Sequence, residues 1–463
     1  MQLTRILGLL AVGSLSLGMA AQAHAERYVV LYKTNALPKK FEQEIEQAGG
    51  KLARALPSVG VVIAESSRPD FEAVMGSARG VQSVGPVPAE SLPEYVSHAQ
   101  PEDGPTADDD LYNVGLLWGI NRVHAPEAWA AGITGSHDTV VAVIDTGIAW
   151  NHPDLADNVI HMACFTSAGS EEGPETDGDC NPYPTLSDHG THVAGTVAAA
   201  FGGGRVVGVG PGLGLAGYNT FEFIDGCGVC AYSDSRWAAQ IDAAQRGYEV
   251  INMSLGALGF YGFGRSDGIA TFVAADHRVQ QAVVNAGTTI VASGGNSGID
   301  LNGVYINLPG GLPGVVNTAA TGIQPNARYE GPEVSFDIQA FYSNYGAAIT
   351  IAGPGGDCGQ IGTCNADRPA NWFEYLVLSS IVAPDPGCGA SASCPVGYGW
   401  KGGTSMASPH AAGVVGLIRD ENPGLSASQA ATVLKKTAEN LGDRQTFGHG
   451  MVDARAAMGK SKQ

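Results

Sequence analysis

The stretch Val140-Val-Ala-Val-Ile-Asp-Thr-Gly147 decides the fold, because five apolar and mostly β-branched residues lead directly into a carboxylate and a turn. An uninterrupted apolar run of this kind is typical of a strand that is buried on both faces of a sheet. Four later runs have the same character, and we expect each to form a strand: residues 250–251, 289–292, 315–320 and 348–352.

Helical patterns lie between and after these strands. Buried strands that alternate with helices argue for an α/β fold, in which a mostly parallel sheet is covered by helices on both faces. We predict helices at residues 189–200, 234–246, 271–286, 405–419 and 426–437.

The first hundred residues have a different pattern, β-α-β-α-β, which predicts a small two-layer domain. Residues 101–110 are polar, acidic and rich in turn formers, so we expect an exposed linker after this domain. The predicted strands and helices of the small domain are 28–32, 38–47, 59–64, 70–78 and 81–87.

Residues 1–25 have the composition of a secretory signal peptide. Arg5 precedes an apolar run that ends near Met19, and Ala23-His-Ala25 offers small residues for cleavage. No later stretch reaches about 18 uninterrupted apolar residues, the length that a membrane span requires. We therefore expect a soluble protein that is secreted, either to a periplasm or outside the cell.

The charge is strongly acidic, with 25 Lys and Arg against 45 Asp and Glu, although only 15% of the 463 residues are charged. The first 100 residues hold nine basic and nine acidic side chains, so the net charge of −20 belongs entirely to the remainder. An acidic chain is a poor partner for the phosphates of nucleic acid. We expect a monomer that binds neither nucleic acid nor a membrane.

Eight cysteines in an exported chain favour disulfides, because the compartment is oxidising. Cys227 and Cys230 also have the spacing of half a zinc ribbon, but no second pair at that spacing follows. The cysteines fall in the sequence as four pairs of near neighbours, and short local loops are the simplest pairing. We predict the disulfides Cys164–Cys180, Cys227–Cys230, Cys358–Cys364 and Cys388–Cys394.

Three segments carry candidate catalytic residues at places where an open α/β sheet binds its ligands. Asp145 ends the first buried strand, His189 opens a helix, and Ser405 opens another helix after two glycines. Singly, these residues are compatible with a turn, a metal pair that includes His192, and a helix N-cap. Together they supply a hydroxyl nucleophile, an imidazole base and a carboxylate that orients the imidazole.

The order aspartate, histidine, serine is that of subtilisin, and the sequences around the three residues extend the likeness. Asp-Thr-Gly-Ile-Ala-Trp-Asn-His-Pro-Asp-Leu at 145–155, His-Gly-Thr-His-Val-Ala-Gly at 189–195 and Gly-Thr-Ser-Met-Ala-Ser-Pro at 403–409 are similar to the active-site motifs of subtilisin-like serine peptidases. The resemblance covers nearly the whole chain. It implies the three-layer subtilisin-like fold and a triad of Asp145, His189 and Ser405 that needs no cofactor.

Further motifs resemble the binding segments of the same family. Asn296, in the segment 291–298, is similar to the residue that donates its amide to the oxyanion. Small, uncharged residues after Asn252 and before Asn296 would line the primary specificity pocket and favour an apolar or aromatic side chain before the scissile bond, while the nearby Asp300 leaves a basic preference open. The predicted substrate-binding residues are Ser254, Leu255, Gly256, Ser293, Gly294 and Gly295.

The resemblance also implies a zymogen. Residues 26–100 resemble the family's inhibitory propeptide, a small α+β domain of ferredoxin-like type that assists folding and is then cut off. Residues 101–463 would be the catalytic domain, with the cut expected between residues 89 and 111. A permanent N-terminal domain is the alternative.

Two features distinguish this chain from simpler family members. The insertions at 164–184 and 357–399 contain cysteines and are rich in Gly and Pro, so we predict loops near the active face that shape substrate binding or brace the fold. Structural calcium is common in the family. Asp177 and Asp179 have the opening spacing of a calcium loop, although Pro182 stands where an EF-hand loop has glycine.

The expected function is that of a secreted serine endopeptidase acting on protein or peptide substrates, with its own propeptide as an intramolecular inhibitor. One alternative is an inactive binding protein on the same fold. Another is an acyl-enzyme that transfers its acyl group to an amine, or that releases tripeptides from a chain end.

Overall fold

The computed structural model describes residues 25–92, 96–100, 109–176, 178–260, 269–323, 337–357, 372–382 and 392–461. The predicted signal peptide, except Ala25, and residues 101–108 of the predicted linker lie outside the described residues. The same holds for the predicted calcium ligand Asp177 and for three of the eight cysteines, namely Cys358, Cys364 and Cys388.

The N-terminal part forms a four-stranded antiparallel sheet with two helices. The strand order β2-β3-β1-β4 is that of a ferredoxin-like β-α-β-β-α-β unit. The elements are β1 (Glu26–Tyr32), α1 (Phe41–Gln47), β2 (Lys51–Leu56), β3 (Val61–Ser66), α2 (Phe71–Gly76) and β4 (Val81–Pro86).

The β-α-β-α-β order that the sequence predicts for this part is wrong by one strand, β2. This strand lies at the edge of the sheet and only Leu56 in it is buried. An edge strand with one open face alternates polar and apolar residues and lacks the continuous apolar run that identifies the other strands.

The rest of the chain alternates strands and helices. The strands are β5 (Ala89–Ser91), β6 (Val96–Gln100), β7 (Val140–Asp145), β8 (Val159–Thr166), β9 (Gly169–Glu172), β10 (Gly214–Asn219), β11 (Glu222–Ile224), β12 (Gly228–Tyr232), β13 (Val250–Met253), β14 (Ala257–Phe260), β15 (Thr289–Ser293), β16 (Tyr305–Leu308), β17 (Val315–Gly322), β18 (Ile338–Gln339), β19 (Ile351–Pro354), β20 (Val377–Val382) and β21 (Val396–Gly402). The helices are α3 (Asp110–Asn113), α4 (Trp118–Arg122), α5 (Ala125–Ala130), α6 (His189–Ala198), α7 (Ser233–Gln245), α8 (Ile269–Ala286), α9 (Thr404–Glu421), α10 (Ala427–Thr437), α11 (Arg444–Phe447) and α12 (Ala454–Ser461), with a 3₁₀ turn at Trp372–Tyr375.

A nine-stranded, mostly parallel sheet forms the centre of this part. Neighbouring strands follow the order β17-β15-β13-β7-β10-β8, β19 adds a further parallel strand beside β17, and β18 and β9 pair antiparallel at the two ends. The predicted α/β fold is therefore confirmed. Its predicted sheet was incomplete, because β8 and β10 also belong to it.

The two faces of the sheet support separate cores. Val141 and Val143 of β7 belong to the cluster that contains α6, α9 and α10, whereas Ala142 and Ile144 belong to the cluster that contains α7 and α8. Successive residues of a strand point to opposite faces, so one apolar run supplies both cores. The result is a three-layer arrangement of helices, sheet and helices.

The N-terminal sheet packs against the outer surface of α7 and α8. Val29 and Ile63 belong to the same apolar cluster as Ala239 of α7 and Phe272 of α8. The strands β5 and β6, which follow β4, are here called the connecting segment. They pair with strands of the larger, C-terminal part of the chain: β5 pairs with β12, and β6 pairs with β21. The two parts are thus joined by an apolar face and by two strand pairings.

Both insertions that the sequence predicts to be loops contain regular structure. The first includes the end of β8 and the strand β9, and the second includes the hairpin of β20 and β21. The loop prediction was wrong because paired strands tolerate Gly and Pro at their ends, where turn residues dominate the composition.

The disulfide predictions hold where the structure describes both cysteines. Cys164 is bonded to Cys180, and Cys227 to Cys230. Cys394 is also disulfide-bonded, but the two predicted pairs at 358–364 and 388–394 include cysteines outside the described residues.

Buried histidines give the fold a dependence on pH. The Nδ1 of His410, which is fully buried in α9, donates a hydrogen bond of 2.8 Å to the carbonyl oxygen of Met406, and burial lowers the pKa of His410 to about 4. Burial also holds the pKa of His192 well below its usual value. Between the ordinary imidazole pKa of about 6.5 and these lower values, the unfolded chain binds protons that the folded chain does not.

The free energy of unfolding should therefore fall as the pH drops from about 6.5 to 4. We expect the melting temperature of a Ser405→Ala variant to decrease across this window. His410→Gln in the same background should melt lower at pH 7 but lose less on acidification, since one proton-binding group is gone. Burial raises the pKa of Asp154 to about 7, so this carboxyl group stabilises the folded state on acidification, to the same extent in both variants. Parallel plots of melting temperature against pH for the two variants would contradict the assignment to His410.

Candidate active site

Asp145 and His189 meet at the end of the central strand. Asp145 is the last residue of β7 and His189 the first of α6, and both are fully buried. His189 Nδ1 lies 2.8 Å from Asp145 Oδ1, which also accepts a 2.8 Å hydrogen bond from the backbone N–H of Thr146. The carboxylate thus fixes which imidazole nitrogen carries the proton towards it and leaves Nε2 on the side of the ring away from it.

Glycine at position 190 lets α6 approach β7 this closely. A Cβ atom there would lie 2.3 Å from the carbonyl oxygen of Gly147 and 3.1 Å from the Cβ of Asp145. In the observed arrangement, the N–H of Gly190 donates to Thr146 Oγ1 at 2.9 Å, and that hydroxyl donates to the carbonyl oxygen of Ser187 at 2.9 Å. Local hydrogen bonds therefore lock the first turn of α6 onto the end of β7.

Ser405 lies on the helix next to His189. It is the second residue of α9, which packs along α6, and it is fully buried in the intact chain. Its hydroxyl donates to the carbonyl oxygen of Ser254 at 3.1 Å, while the Ser254 hydroxyl donates to the carbonyl oxygen of Ser405 at 2.7 Å. This pair of bonds joins the start of α9 to the segment after β13.

The side-chain amide of Asn296 has a fixed orientation. Its Oδ1 accepts hydrogen bonds from the backbone N–H of Thr404 at 2.9 Å and from the Thr404 hydroxyl at 2.7 Å. Because two donors occupy the amide oxygen, the Nδ2 group must direct its N–H bonds away from Thr404. Thr404 was not among the residues predicted from the sequence, although its place directly before Ser405 was a usable signal.

The two predicted pocket segments come together. Ser293 Oγ donates to the carbonyl oxygen of Leu255 at 3.3 Å, and the side chain of Ser254 is linked to α9 as described. Gly256 and Gly295 are required by close packing, since a Cβ on either would lie 2.4 Å from a neighbouring atom. Asp300 is exposed, and its Oδ1 accepts a 2.8 Å bond from the N–H of Asn302, so its carboxylate belongs to a surface turn.

The connecting segment of the N-terminal part lies beside these residues. β5 pairs antiparallel with β12 and also lies against β14, which follows Gly256. β6 pairs antiparallel with β21, with Val96 opposite Gly402, and Gly402 is three residues before Ser405. The chain's own backbone therefore occupies the strand positions beside β12 and β21.

His192, the second histidine of the segment 189–195, does not belong to this arrangement. His192 is fully buried, and its Nε2 lies 3.0 Å from the carbonyl oxygen of Val377 and 3.1 Å from that of Gly399. It therefore binds backbone carbonyls of β20 and β21, which is a packing role.

The part of the chain that the structure describes offers one group of three metal-ligating side chains within 4.8 Å, formed by His124, Glu439 and Asp453. This group does not fit calcium, which takes six to eight oxygen ligands, because His124 offers nitrogen and Glu439 is paired with Arg122 at 2.8 Å. Asp179 is exposed. The calcium prediction for Asp177 and Asp179 remains a prediction.

The sequence is similar to a known family and to known proteins. A family model described as the Subtilase family matches residues 136–450. The chain is 30% identical over 448 residues to alkaline elastase YaB of Bacillus sp. (strain YaB), which covers 96% of this chain and 94% of that protein. It is 32% identical to subtilisin DY of Bacillus licheniformis over 73% of this chain and 97% of that protein.

Solved structures support the fold over a longer span. An epidermin leader peptide processing serine protease from Staphylococcus aureus aligns with a TM-score of 0.72 at 18% identity, over 95% of this chain and 99% of that one. Fervidolysin from Fervidobacterium pennivorans aligns with a TM-score of 0.70 at 22% identity, over 95% of this chain and 62% of that one. Within the described residues, no helix combines the length and apolar character needed to cross a membrane.

The close approach at Gly190 yields a test of the Asp145–His189 pair. Gly190→Ala should displace the imidazole, and a misplacement of about 1 Å reduces reactivity on the order of a hundredfold. We expect the rate of fluorophosphonate labelling at Ser405 to fall by about that factor. Gly303→Ala is the control, because a Cβ there meets no atom within 4 Å; equal labelling rates in the two variants would refute the role of Gly190.

Proposed function

The chain belongs to the subtilase family and is a serine-type endopeptidase, and we propose that it is secreted and cleaves peptide bonds through an acyl-enzyme on Ser405. In this proposal His189 is the general base and Asp145 orients it. The observation that supports the assignment most strongly is the buried 2.8 Å contact between Asp145 and His189 at the edge where α9 presents Ser405.

The reaction proceeds in two halves. The Ser405 hydroxyl turns from the carbonyl of Ser254 to His189 Nε2 and gives up its proton as Oγ attacks the substrate carbonyl carbon. The imidazolium then protonates the leaving amine, and the peptide C–N bond breaks. Water repeats the sequence: it loses a proton to His189 and releases the acid, and Ser405 regains its hydrogen.

Negative charge on the attacked carbonyl oxygen requires donors that are already in place. We assign Asn296 Nδ2 and the backbone N–H of Ser405 to this role. Thr404 supports it by holding the amide oxygen with two hydrogen bonds, so the donor does not have to reorient during the reaction. Thr404 is in this sense a positioning residue.

The pocket residues favour an apolar or aromatic side chain before the scissile bond. Ser254, Leu255 and Gly256 lie beside Ser293, Gly294 and Gly295, and none of them carries a charge that could pair with Lys or Arg. Asp300, the acidic residue that left a basic preference open, is engaged in an exposed turn. Subtilases need no cofactor for catalysis, and a structural calcium ion held by Asp177 and Asp179 remains part of the proposal.

The N-terminal domain acts in this proposal as an inhibitory propeptide. Its strand β5 pairs with β12, and β6, which follows it, pairs with β21 close to Ser405 in the sequence. A substrate cannot use the position beside β12 until the chain has been cut after β5 and the N-terminal domain has left. We expect the cut between Ser91 and Val96, which narrows the range of 89–111 expected from the sequence.

The experiment that tests the function compares the wild-type chain with Ser405→Ala. The wild type should shorten itself, acquire a new N-terminus between residues 92 and 96, bind a fluorophosphonate at Ser405, and cut an unstructured protein at many internal bonds read by mass spectrometry. Ser405→Ala should remain full length and inactive. Failure of the processed wild type to bind the reagent would favour an inactive binding protein, and stepwise release from one end or ring closure would favour the transferase or exopeptidase alternatives.

Activity should rise with pH as the base loses its proton. Only the neutral form of the imidazole can accept the proton of Ser405. We expect kcat/KM to rise with pH through the neutral range. A flat profile from pH 5 to 9 would contradict the role of His189.

Asn296→Ala should lower kcat on the order of 10²–10³-fold, as the corresponding loss does in subtilisin, with the same pH midpoint as the wild type.

A further inference from the structure

A fully buried arginine on α7 holds the side chain of Glu90, the middle residue of β5. Glu90 Oε1 accepts from Ser233 Oγ at 2.6 Å and from Arg236 Nη2 at 2.9 Å, and its Oε2 accepts from Arg236 Nε at 3.0 Å. None of these three residues has any exposed surface. Ser233 and Arg236 thus form a built site for a carboxylate, and the connecting segment occupies it.

The donors of Arg236 are fully accounted for. A guanidinium has five N–H groups. Asp276 and Gln240 take three of them, through contacts of 3.0, 3.1 and 3.1 Å. The other two point at Glu90, in the forked geometry that suits a carboxylate. A neutral glutamine in the same place would offer one acceptor oxygen and would turn its NH₂ towards a donor.

Arg236 is held in place without Glu90. Asp276, on α8, is itself fixed by the Trp237 Nε1–H at 2.9 Å and by Gln280 Nε2 at 2.9 Å. Every one of these supporting groups belongs to α7 or α8. When β5 leaves with the N-terminal domain, Arg236 remains beside Asp276, and the two N–H groups that Glu90 satisfied remain directed at the position of β5.

The position of β5 is one that a peptide substrate can take. β5 adds to the edge of β12 with Glu90 opposite Ala231, and on its other side it lies against β14. Extended peptides bind exposed sheet edges by backbone hydrogen bonds, while pockets below the strand select alternate side chains. A substrate strand on β12 in the same register would place one side chain over Arg236.

We propose that Ser233 and Arg236 form a subsite of the mature enzyme that selects an acidic side chain in the substrate, on the amino-terminal side of the scissile bond. The inference rests on the proposed function, in which the segment carrying Glu90 is cut off between Ser91 and Val96. That window places the selected residue two to six positions before the bond. Glu90 fills this subsite in the intact chain.

A neighbouring set of ion pairs only holds the N-terminal domain in place and differs in this respect from the site that binds Glu90. Asp234 accepts hydrogen bonds from Arg27 at 2.8 Å and Arg54 at 2.9 Å, both of which belong to the ferredoxin-like unit itself. Those arginines are side chains of a folded sheet and have no counterpart in an extended peptide. Glu90 comes instead from a strand whose backbone follows the path proposed for substrates.

The test uses the self-processed wild-type enzyme and a set of fluorogenic peptides. Each peptide carries one glutamate at one of the positions two to six before the cleaved bond, and a matched peptide carries glutamine there. At one position we expect kcat/KM for the glutamate peptide to exceed that for the glutamine peptide on the order of tenfold to a hundredfold, because two charge-assisted hydrogen bonds are at stake.

Variants then locate the effect. Arg236→Met should bring the glutamate-to-glutamine ratio of kcat/KM close to one. Ser233→Ala removes a single hydroxyl and should lower this ratio severalfold, so it provides a second test if Arg236→Met does not fold. Arg278→Met is the matched control. Arg278 is an arginine of α8 that binds the carbonyl oxygen of Tyr32 in the N-terminal domain at 2.7 Å, so its loss should leave the ratio of the processed enzyme unchanged.

The possible outcomes separate this inference from the proposed function. Cleavage of all peptides with equal efficiency for glutamate and glutamine would overturn the acidic subsite and leave the endopeptidase assignment intact. A preference for glutamate that persists in both Ser233→Ala and Arg236→Met would likewise overturn the subsite alone. Failure to cleave any peptide, together with failure to self-process, would overturn both.

Discussion

The contact between Asp145 and His189 is the constraint on which the rest of the site depends. It requires a carboxylate at the end of the central strand and an imidazole in the first turn of a helix on one face of the sheet. That proximity in turn requires glycine at position 190, where no Cβ can be accommodated. Once α6 is fixed in this way, α9 packs beside it, and its start is held by Ser254 and Asn296.

A second set of constraints governs the surface on which the N-terminal domain lies. The first turn of α7 carries Asp234 and Arg236, two residues apart, and both are fully buried. Arg27 and Arg54 pair with the acid, and Glu90 shares the arginine with Asp276. Burying an unpaired charge is costly, so each of these groups needs its partner or water in its place. The interface is therefore specified by charge sign as well as by its apolar face.

Much of this could be predicted from the sequence, because the decisive signals are local. The apolar run that ends at Asp145 identified the central strand, and the residues around His189 and Ser405 identified the starts of two helices and the family. The local motif also predicts an oxyanion role for Asn296, whose amide oxygen is held by Thr404.

Other elements escaped prediction because their residues are chosen for contacts distant in sequence. β10 contains two glycines, and a Cβ on Gly217 would lie 2.6 Å from the sulfur of Met162. A strand that packs this closely against its neighbours lacks the β-branched residues by which strands are usually predicted. The hairpin of β20 and β21 lies in a segment whose composition suggests loops. The carboxylate site at Arg236 depends on Glu90, which is 146 residues away, so no sequence window contains both.

In the proposed function, the pairing of β5 with β12 makes the N-terminal domain a tethered ligand of the larger part. A tether of this kind holds the two at a high effective concentration, in the millimolar range for short linkers, so weak intrinsic affinity is enough to keep the cleft closed. Cutting the chain between β5 and β6 removes that advantage without changing a single contact. In the proposed zymogen, the fraction of free enzyme would from that moment depend on dilution.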